Sequence, residues 1–232
     1  MVSPSVPTCR GRVPWQGLLL AVLLLTFWSP PASAQLSIIS ANAAEGEDVL
    51  LRIYNTPPEV LGFMWFRGGQ ALFYRYIAFY STTLKEIGRG PEFTGRETIN
   101  DKGSMVIRNA TMRDTGTYTV LAFLSDSKKE VGFGRLNVYQ PVRLPTLIAR
   151  NTTLTENKDI AFLTCYSNGL STHWLFNDEC LQLNNRMRLA WGNRTLIIKP
   201  VKREDAGTYH CEVTNPISSA ESVSIELHVK YE

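Results

Sequence analysis

Side chains able to carry out catalysis are few in this sequence, and they do not form a recognisable motif. The chain has three histidines, and none stands in the His-Glu-x-x-His spacing that presents two zinc ligands on one helix face. Neither a Gly-x-Ser-x-Gly nucleophile elbow nor a Gly-x-x-x-x-Gly-Lys phosphate loop occurs. Asp114 and Asp205 stand in matching motifs, but 91 residues apart. We therefore expect no enzyme, no cofactor, no metal site and no small-molecule substrate.

The cysteines carry a more specific signal. Cys165, Trp174 and Cys211 follow the order of an inter-sheet disulfide packed against a buried tryptophan, the hallmark of an immunoglobulin domain. Tyr209 lies two residues before Cys211, at the position of a tyrosine corner. The spacing predicts a Cys165–Cys211 disulfide.

Three asparagines stand in the Asn-x-Ser/Thr pattern that accepts N-linked glycans. They are Asn109, Asn151 and Asn193. An attached glycan is bulky and must face solvent, so the pattern predicts glycosylated surface loops in an extracellular chain.

The elements that would position these residues are short strands. After residue 35, turn signals alternate with short apolar runs, which predicts an all-β fold. The motif that begins at Asp114 recurs at Asp205, and Trp65 recurs as Trp174. The repeat predicts two tandem immunoglobulin-like β-sandwiches. We place them at residues 35–139 and 146–232, with a proline-containing linker at 140–145.

The two predicted domains differ in length. Trp65 to Asp114 spans 49 residues, whereas Trp174 to Asp205 spans 31. The longer interval leaves room for the two extra edge strands of a variable-type sandwich. We therefore expect a variable-type domain, followed by a constant- or intermediate-type domain with one disulfide.

The variable-type domain must be held together without a disulfide. Ile53 and Val120 occupy its two cysteine positions, so the domain lacks a cross-link worth roughly 2–4 kcal/mol. Arg96 stands where such folds place an arginine across from the corner aspartate, which predicts an Arg96–Asp114 salt bridge. The corresponding candidates in the second domain are Arg186 and Asp205.

Residues 1–34 are typical of a secretory signal peptide. Basic residues precede a 12-residue apolar run and the small-residue cleavage site Ala32-Ser33-Ala34. The run is too short to span a bilayer, which takes about 20 residues. We expect a chain that is secreted or lies on the extracellular face of the plasma membrane. If Cys9 leaves with this leader, Cys180 has no internal partner, which predicts an intermolecular disulfide or a free thiol.

Several segments together resemble the carcinoembryonic-antigen-related cell-adhesion family, which includes the pregnancy-specific glycoproteins. The similar segments are residues 13–20, 25–28, 44–46, 95–99, 114–119 and 192–196. A first domain without cysteines is itself typical of that family. The resemblance implies an adhesive first domain, and some relatives are receptors for bacterial or viral proteins or are secreted immune modulators.

Strand alternation predicts where an interface would lie. If Phe63 and Trp65 point inward on one strand, then Met64 and Phe66 point outward. By the same alternation Leu121 and Phe123 point outward on the strand of Tyr118, and an aromatic-rich segment adds Phe73 and Tyr76. A contiguous outward apolar patch usually marks a binding surface. A register shifted by one residue would instead bury the four outward residues.

These patterns predict a secreted or cell-surface glycoprotein that acts in cell adhesion and protein recognition through the exposed sheet face of the first domain. The expected partners are the protein itself, related family glycoproteins, or pathogen surface proteins. A net charge of +3 gives no basic surface for nucleic acid. One alternative is a soluble immune modulator or decoy for anchored relatives, and another is a structural spacer.

Overall fold

The structure, a computed structural model, describes residues 35–231. The leader predicted for residues 1–34, with Cys9, lies outside the described residues. The chain divides into two compact units, with the boundary between Gln140 and Pro141. Each unit consists of β-sheets around its own apolar core, so the predicted all-β architecture of two tandem sandwiches is confirmed.

The first domain contains a six-stranded sheet in the order β2-β11-β10-β5-β6-β7, a three-stranded sheet in the order β3-β9-β8, and the pair β1-β4. Strands β6 and β7 are the extra edge strands predicted from the long interval after Trp65. Short 3₁₀ turns cover Phe73–Arg75 and Met112–Asp114. In chain order the strands are β1 (Ser37–Ile38), β2 (Ala41–Ala44), β3 (Val49–Leu51), β4 (Ile53–Tyr54), β5 (Val60–Arg67), β6 (Tyr76–Ser81), β7 (Glu86–Arg89), β8 (Glu97–Ile99), β9 (Met105–Ile107), β10 (Gly116–Leu124) and β11 (Lys129–Tyr139).

The core of the first domain follows the two-residue alternation of its strands. Phe63 and Trp65 of β5 point inward, and Val120 of β10 lies opposite Trp65 in the strand register. Ile53 and Val120 are both buried in this core, at the two positions where a disulfide would otherwise join the sheets. The alternation predicted for β5 and β10 therefore has the correct register.

Two glycines of β11 allow the N-terminal segment to pack closely on the sheet. A Cβ atom on Gly134 would lie 2.5 Å from Cβ of Ile38, and one on Gly132 would lie 3.0 Å from the backbone of Leu36. Leu36 and Ile38 are both buried in the core. Any larger residue at these positions would push β1 away from the sheet, so this Gly-x-Gly pattern serves packing rather than a turn.

The second domain contains a four-stranded sheet in the order β12-β14-β18-β17 and a second sheet in the order β13-β21-β19-β15-β16, with β20 paired to β19. A 3₁₀ turn covers Arg203–Asp205. In chain order the strands are β12 (Thr146–Ala149), β13 (Thr153–Thr155), β14 (Ala161–Tyr166), β15 (Ser171–Phe176), β16 (Glu179–Cys180), β17 (Met187–Ala190), β18 (Thr195–Ile198), β19 (Gly207–Asn215), β20 (Ser218–Glu221) and β21 (Ile225–Lys230).

The predicted disulfide joins the two sheets of this domain. The S–S distance between Cys165 and Cys211 is 2.08 Å and their Cα atoms are 6.4 Å apart. Trp174 lies opposite Cys211 in the register of β15 and β19 and packs in the same core. The prediction of the Cys165–Cys211 bond is confirmed.

Residues 141–143, within the segment predicted as a linker, are hydrogen-bonded to the second domain. The Val142 N–H donates to Ser218 Oγ at 2.8 Å, and the Arg143 N–H donates to Asn168 Oδ1 at 2.9 Å. Asn168 in turn donates to the Pro141 carbonyl at 3.0 Å. Across residues 35–231, no helix is long and apolar enough to cross a membrane.

Candidate protein interface

The corner of the first domain is held by a buried carboxylate. Asp114 is 1% exposed, and Arg96 donates to both of its oxygens at 2.8 Å, so the predicted Arg96–Asp114 salt bridge is present. Arg67 adds a second cation at 2.9 Å, and the Thr111 N–H donates at 2.8 Å. Burial opposes ionisation of Asp114, but these hydrogen bonds outweigh it and hold its pKa well below the ordinary value.

The same corner includes the tyrosine that the motif predicted. The Tyr118 hydroxyl donates to the Asp114 carbonyl oxygen at 2.9 Å, and burial raises the pKa of Tyr118 to about 12. These contacts fix the end of β10 relative to the 3₁₀ turn that precedes it. They position the strand that carries Leu121 and Phe123.

The second domain repeats this corner. The Arg186 guanidinium is 11% exposed and bonds both oxygens of Asp205, one of them from Nη2 at 3.1 Å. The Tyr209 hydroxyl donates to the Asp205 carbonyl at 2.8 Å, and burial raises the pKa of Tyr209. The Arg186–Asp205 candidate pair therefore forms a salt bridge, as Arg96 and Asp114 do.

Cys180 is disulfide-bonded, and none of the cysteines among residues 35–231 is free. The prediction for Cys180 was made for the chain after removal of its leader, and it stays a prediction.

One face of the six-stranded sheet points away from the core, and its strand register brings apolar side chains together. Leu121 of β10 lies opposite Met64 of β5 on one side and Val131 of β11 on the other. Thr119 lies between Phe66 and Phe133 in the same way. We use the name outer face for the side chains of Met64, Phe66, Phe79, Leu121, Phe123, Val131 and Phe133, together with Phe73, whose ring packs against Phe66.

The structure corrects the predicted exposure of two of these residues. Phe66 is 1% exposed and Leu121 is 4% exposed, although neither belongs to the core between the sheets. The Phe73 ring packs edge-on against Phe66 with the centroids 6.0 Å apart, and Leu121 is enclosed by its cross-strand neighbours. Both side chains point outward as predicted, but they form the floor of the outer face rather than its surface.

The accessible part of the outer face is aromatic. Phe73 is 52% exposed and Phe133 is 47% exposed, whereas Met64 and Phe123 are half-buried. Phe79 and Phe123 contact each other edge to face, with the centroids 6.0 Å apart. Tyr76 lies opposite Phe66 and is also half-buried, and its hydroxyl donates to the Arg89 carbonyl at 3.4 Å.

A single cation lies above two of these rings. Lys129 Nζ is 5.4 Å from the centroid of Phe73 and 5.5 Å from that of Phe123. Lysine placed over an aromatic face gains about 0.5–1 kcal/mol at an exposed site. The ammonium group therefore orients both rings and adds one positive charge to the outer face.

Sequence reasoning missed Phe79, Val131 and Phe133 on this face. The two glycines that flank Phe133 favour a turn in the sequence, yet both lie within β11 and face the N-terminal segment. Alternation along β11 would have found Val131 and Phe133 had the strand been recognised.

The equivalent face of the second domain is polar. Trp174 of β15 corresponds to Trp65, so His173 takes the place of Met64, and its register partner is Glu212. His210 and Glu212 are buried polar residues on this face, which also carries the buried Leu175. In the described part of the chain, no three His, Cys, Asp or Glu side chains are grouped so as to hold a metal ion.

The three sequon asparagines all lie in exposed loops. Asn109 follows β9, Asn151 follows β12 and Asn193 lies between β17 and β18. None of them is in a strand of the six-stranded sheet. Their positions are geometrically suited to carry glycans.

Comparison with known domain families defines the class of protein. The immunoglobulin V-set domain model matches residues 39–139, and the immunoglobulin I-set domain model matches residues 146–229. The molecule is therefore a tandem immunoglobulin-domain protein, with a variable-type domain followed by an intermediate-type domain, as the sequence predicted.

Solved structures identify the family. The chain is 37% identical to murine CEACAM1b, with a TM-score of 0.78, over 84% of this chain and 100% of that one. A structure described as the mouse coronavirus receptor-binding domain complexed with its murine receptor matches at 37% identity and a TM-score of 0.75, with the same coverage. The CD2-binding domain of CD58 shares the fold at 13% identity and a TM-score of 0.55. The chain belongs to the carcinoembryonic-antigen-related cell-adhesion family.

Proposed function

We propose that this protein is an extracellular adhesion and recognition glycoprotein that binds protein partners through the outer face of its first domain. The observation that carries the proposal is the exposure of Phe73 and Phe133 above a floor formed by Phe66 and Leu121. Exposed aromatic side chains that are already packed lose little conformational freedom on binding, and aromatic residues and methionine are enriched in protein interfaces.

The contrast between the two domains supports this assignment. The register pair Met64–Leu121 on the outer face is replaced in the second domain by His173–Glu212. The exposed rings of the outer face, Phe73 and Phe133, gain free energy when a partner removes them from water. The binding surface therefore belongs to the first domain.

Glycan placement supports the same surface. We propose that Asn109, Asn151 and Asn193 carry N-linked glycans. Because none of the three lies in the six-stranded sheet, the glycans would leave the outer face accessible. The Cys165–Cys211 disulfide favours an oxidising, extracellular environment.

The proposed partners are a second copy of this protein or a related family glycoprotein. Pathogen surface proteins are a further class of partner, since a murine relative is found in complex with a coronavirus receptor-binding domain. Each of these would cover the exposed rings and leave Lys129 to contact acidic or carbonyl oxygen atoms.

Sedimentation velocity on the purified, secreted protein over a wide concentration series tests the proposal. The double variant Phe73→Glu/Phe133→Glu changes exposed side chains and should keep its fold. We expect its dimer dissociation constant to rise at least about tenfold for each aromatic anchor removed. Tyr54→Glu is the matched control, because Tyr54 is 59% exposed and lies in β4, outside the six-stranded sheet.

The same variants decide the alternative partners if the protein remains monomeric. Binding to cells that display anchored relatives, lost in Phe73→Glu/Phe133→Glu and kept in Tyr54→Glu, would support a soluble modulator or decoy that uses the same face. Unchanged self-association or cell binding by the folded double variant would overturn the proposal and favour the role of a spacer.

A further inference from the structure

Trp191 is an exposed tryptophan at the tip of a hairpin in the second domain. Its exposed fraction is 75%, although tryptophan is on average a well-buried residue. No aromatic ring or cation of the described residues stacks on its ring. It stands two residues before Asn193, and Thr195 completes the sequon.

The turn itself is tight and defined. Gly192 and Asn193 both have φ of +67°, and the Arg194 N–H donates to the Trp191 carbonyl at 3.4 Å. Trp191 itself has φ of +50°, so three consecutive residues adopt the left-handed conformation that favours glycine and asparagine. Trp191 and Asn193 are two residues apart in this turn, so their Cα atoms are at most about 7 Å apart and the two side chains project from neighbouring points.

The core of the domain fixes this turn from below. The indole N–H of Trp174, which is buried, donates to the Asn193 carbonyl at 2.8 Å. A Cβ atom built on Gly192 would meet no atom within 4 Å, so the space above the turn is open. The turn thus holds the backbone of Asn193 in place and leaves its side chain in solvent.

We propose that Trp191 is a stacking platform for the first N-acetylglucosamine of a glycan carried by Asn193. The bond forms between Asn193 Nδ2 and C1 of the sugar, as the amide loses a proton and the lipid-linked diphosphate carrier departs. The negative face of the indole ring then lies against the polarised C–H groups of the sugar. The stacked sugar covers an apolar ring that would otherwise be exposed to water.

The modification must precede folding of the second domain. Thr195 is 1% exposed, and its hydroxyl lies 3.1 Å from that of Thr164 on the neighbouring strand. An enzyme that has to read the complete sequon can reach Thr195 only before β18 pairs with β14. The inference thus depends on entry of the nascent chain into the secretory pathway, and it is independent of the outer face of the first domain.

The corresponding turn of the first domain has no room for a glycan acceptor, unlike the turn of the second domain. There the buried Trp65 donates to the carbonyl of Gly103 at 2.8 Å, in the same way that Trp174 donates to that of Asn193. A Cβ atom on Gly103 would overlap the Phe63 ring, so this turn accepts no side chain. In the second domain the equivalent position is open and is occupied by the glycan acceptor.

A thermodynamic cycle on the secreted protein tests the inference. Asn193→Asp removes the acceptor and keeps a residue type that tolerates positive φ. We expect Trp191→Ala to lower the Tm of the second domain by roughly 2–6 °C in the glycosylated protein. The loss should fall to within about 1 °C in the Asn193→Asp background, because there the ring has no sugar to contact.

Two controls distinguish a contact with the first sugar from other effects of the substitutions. Trimming the glycan to a single N-acetylglucosamine should preserve the effect of Trp191→Ala, since the first sugar makes the contact. Leu170→Ala, at a residue that is 70% exposed in the same domain, should have the same effect in both backgrounds. Equal Tm losses for Trp191→Ala in both backgrounds, loss of the effect on trimming, or an unmodified Asn193 in the mass spectrum of the secreted protein would each overturn the inference.

Discussion

The two domains share the same buried tryptophan and tyrosine corner, but they differ in what holds their two sheets together. In each, a buried tryptophan donates to the carbonyl of a turn at 2.8 Å, through Trp65 in the first domain and Trp174 in the second. In each, a tyrosine hydroxyl bonds the carbonyl of a corner aspartate whose carboxylate holds an arginine. The second domain adds the Cys165–Cys211 disulfide, whereas the first fills that space with Ile53 and Val120.

The first domain compensates for the missing disulfide with side-chain packing and salt bridges. Its corner carboxylate binds Arg67 as well as Arg96, and its six-stranded sheet is packed on both sides because the outer face has a buried floor. A disulfide stabilises largely by restricting the unfolded chain, whereas these contacts act in the folded state. The comparison indicates that the same sandwich can be held together by a disulfide or by packing and salt bridges, and that the domain without the disulfide carries the exposed rings of Phe73 and Phe133.

The largest effect should come from breaking the corner of the first domain. Asp114→Ala leaves Arg67 and Arg96 without their shared carboxylate, which should cost about 3–5 kcal/mol of unfolding free energy. Asp205→Ala should cost less, since among the described residues Asp205 binds Arg186 rather than two arginines. Urea unfolding followed by hydrogen exchange of peptides separates the two domains.

The control for this comparison is Asp126→Ala, at an exposed carboxylate paired with Lys128. It should change the free energy of unfolding by no more than about 0.5 kcal/mol. An equal loss from Asp114→Ala and Asp126→Ala would contradict the structural role assigned to the corner.

The next effect tests the covalent link. Cys165→Ala/Cys211→Ala should lower the stability of the second domain by about 2–5 kcal/mol, because the bond closes a long loop in the unfolded chain. Hydrogen exchange in peptides of the first domain should not change. If peptides of both domains lost protection from hydrogen exchange together, the two cores would not be stabilised independently.

The smallest effect is the dependence of the stability of the first domain on pH. The pKa of Asp114 lies below its ordinary value of 3.8 in the folded state, because hydrogen bonds from Arg96, Thr111 and Arg67 outweigh the effect of burial. The unfolded chain therefore takes up this proton at a higher pH than the folded chain does. The corresponding stability is fully present above about pH 4 and is lost as the pH falls towards the folded pKa.

Calorimetry between pH 6 and pH 2 measures this dependence. The Tm of the first domain should fall more steeply below pH 4 in the natural protein than in an Asp114→Asn variant, which has no carboxylate to protonate. Parallel curves for the two proteins would show that other carboxylates account for acid unfolding.

The sequence alone determined the architecture and the direction of the key side chains of β5 and β10. The Cys165, Trp174 and Cys211 spacing, the two aspartate corners and the long interval after Trp65 were sufficient to predict two sandwiches of different type. The alternation along β5 and β10 correctly divided inward from outward residues. These features are local, because a strand repeats every two residues and a corner motif is contiguous in the chain.

Tertiary structure decided which outward residues remain accessible. Phe66 and Leu121 point outward but are buried, since the Phe73 ring and the side chains of neighbouring strands cover them. Phe133 reaches the surface from β11, a strand that was not recognised in the sequence because the glycines on either side of Phe133 favour a turn. Exposure depends on atoms from distant parts of the chain, and no short-range pattern encodes which of those atoms meet.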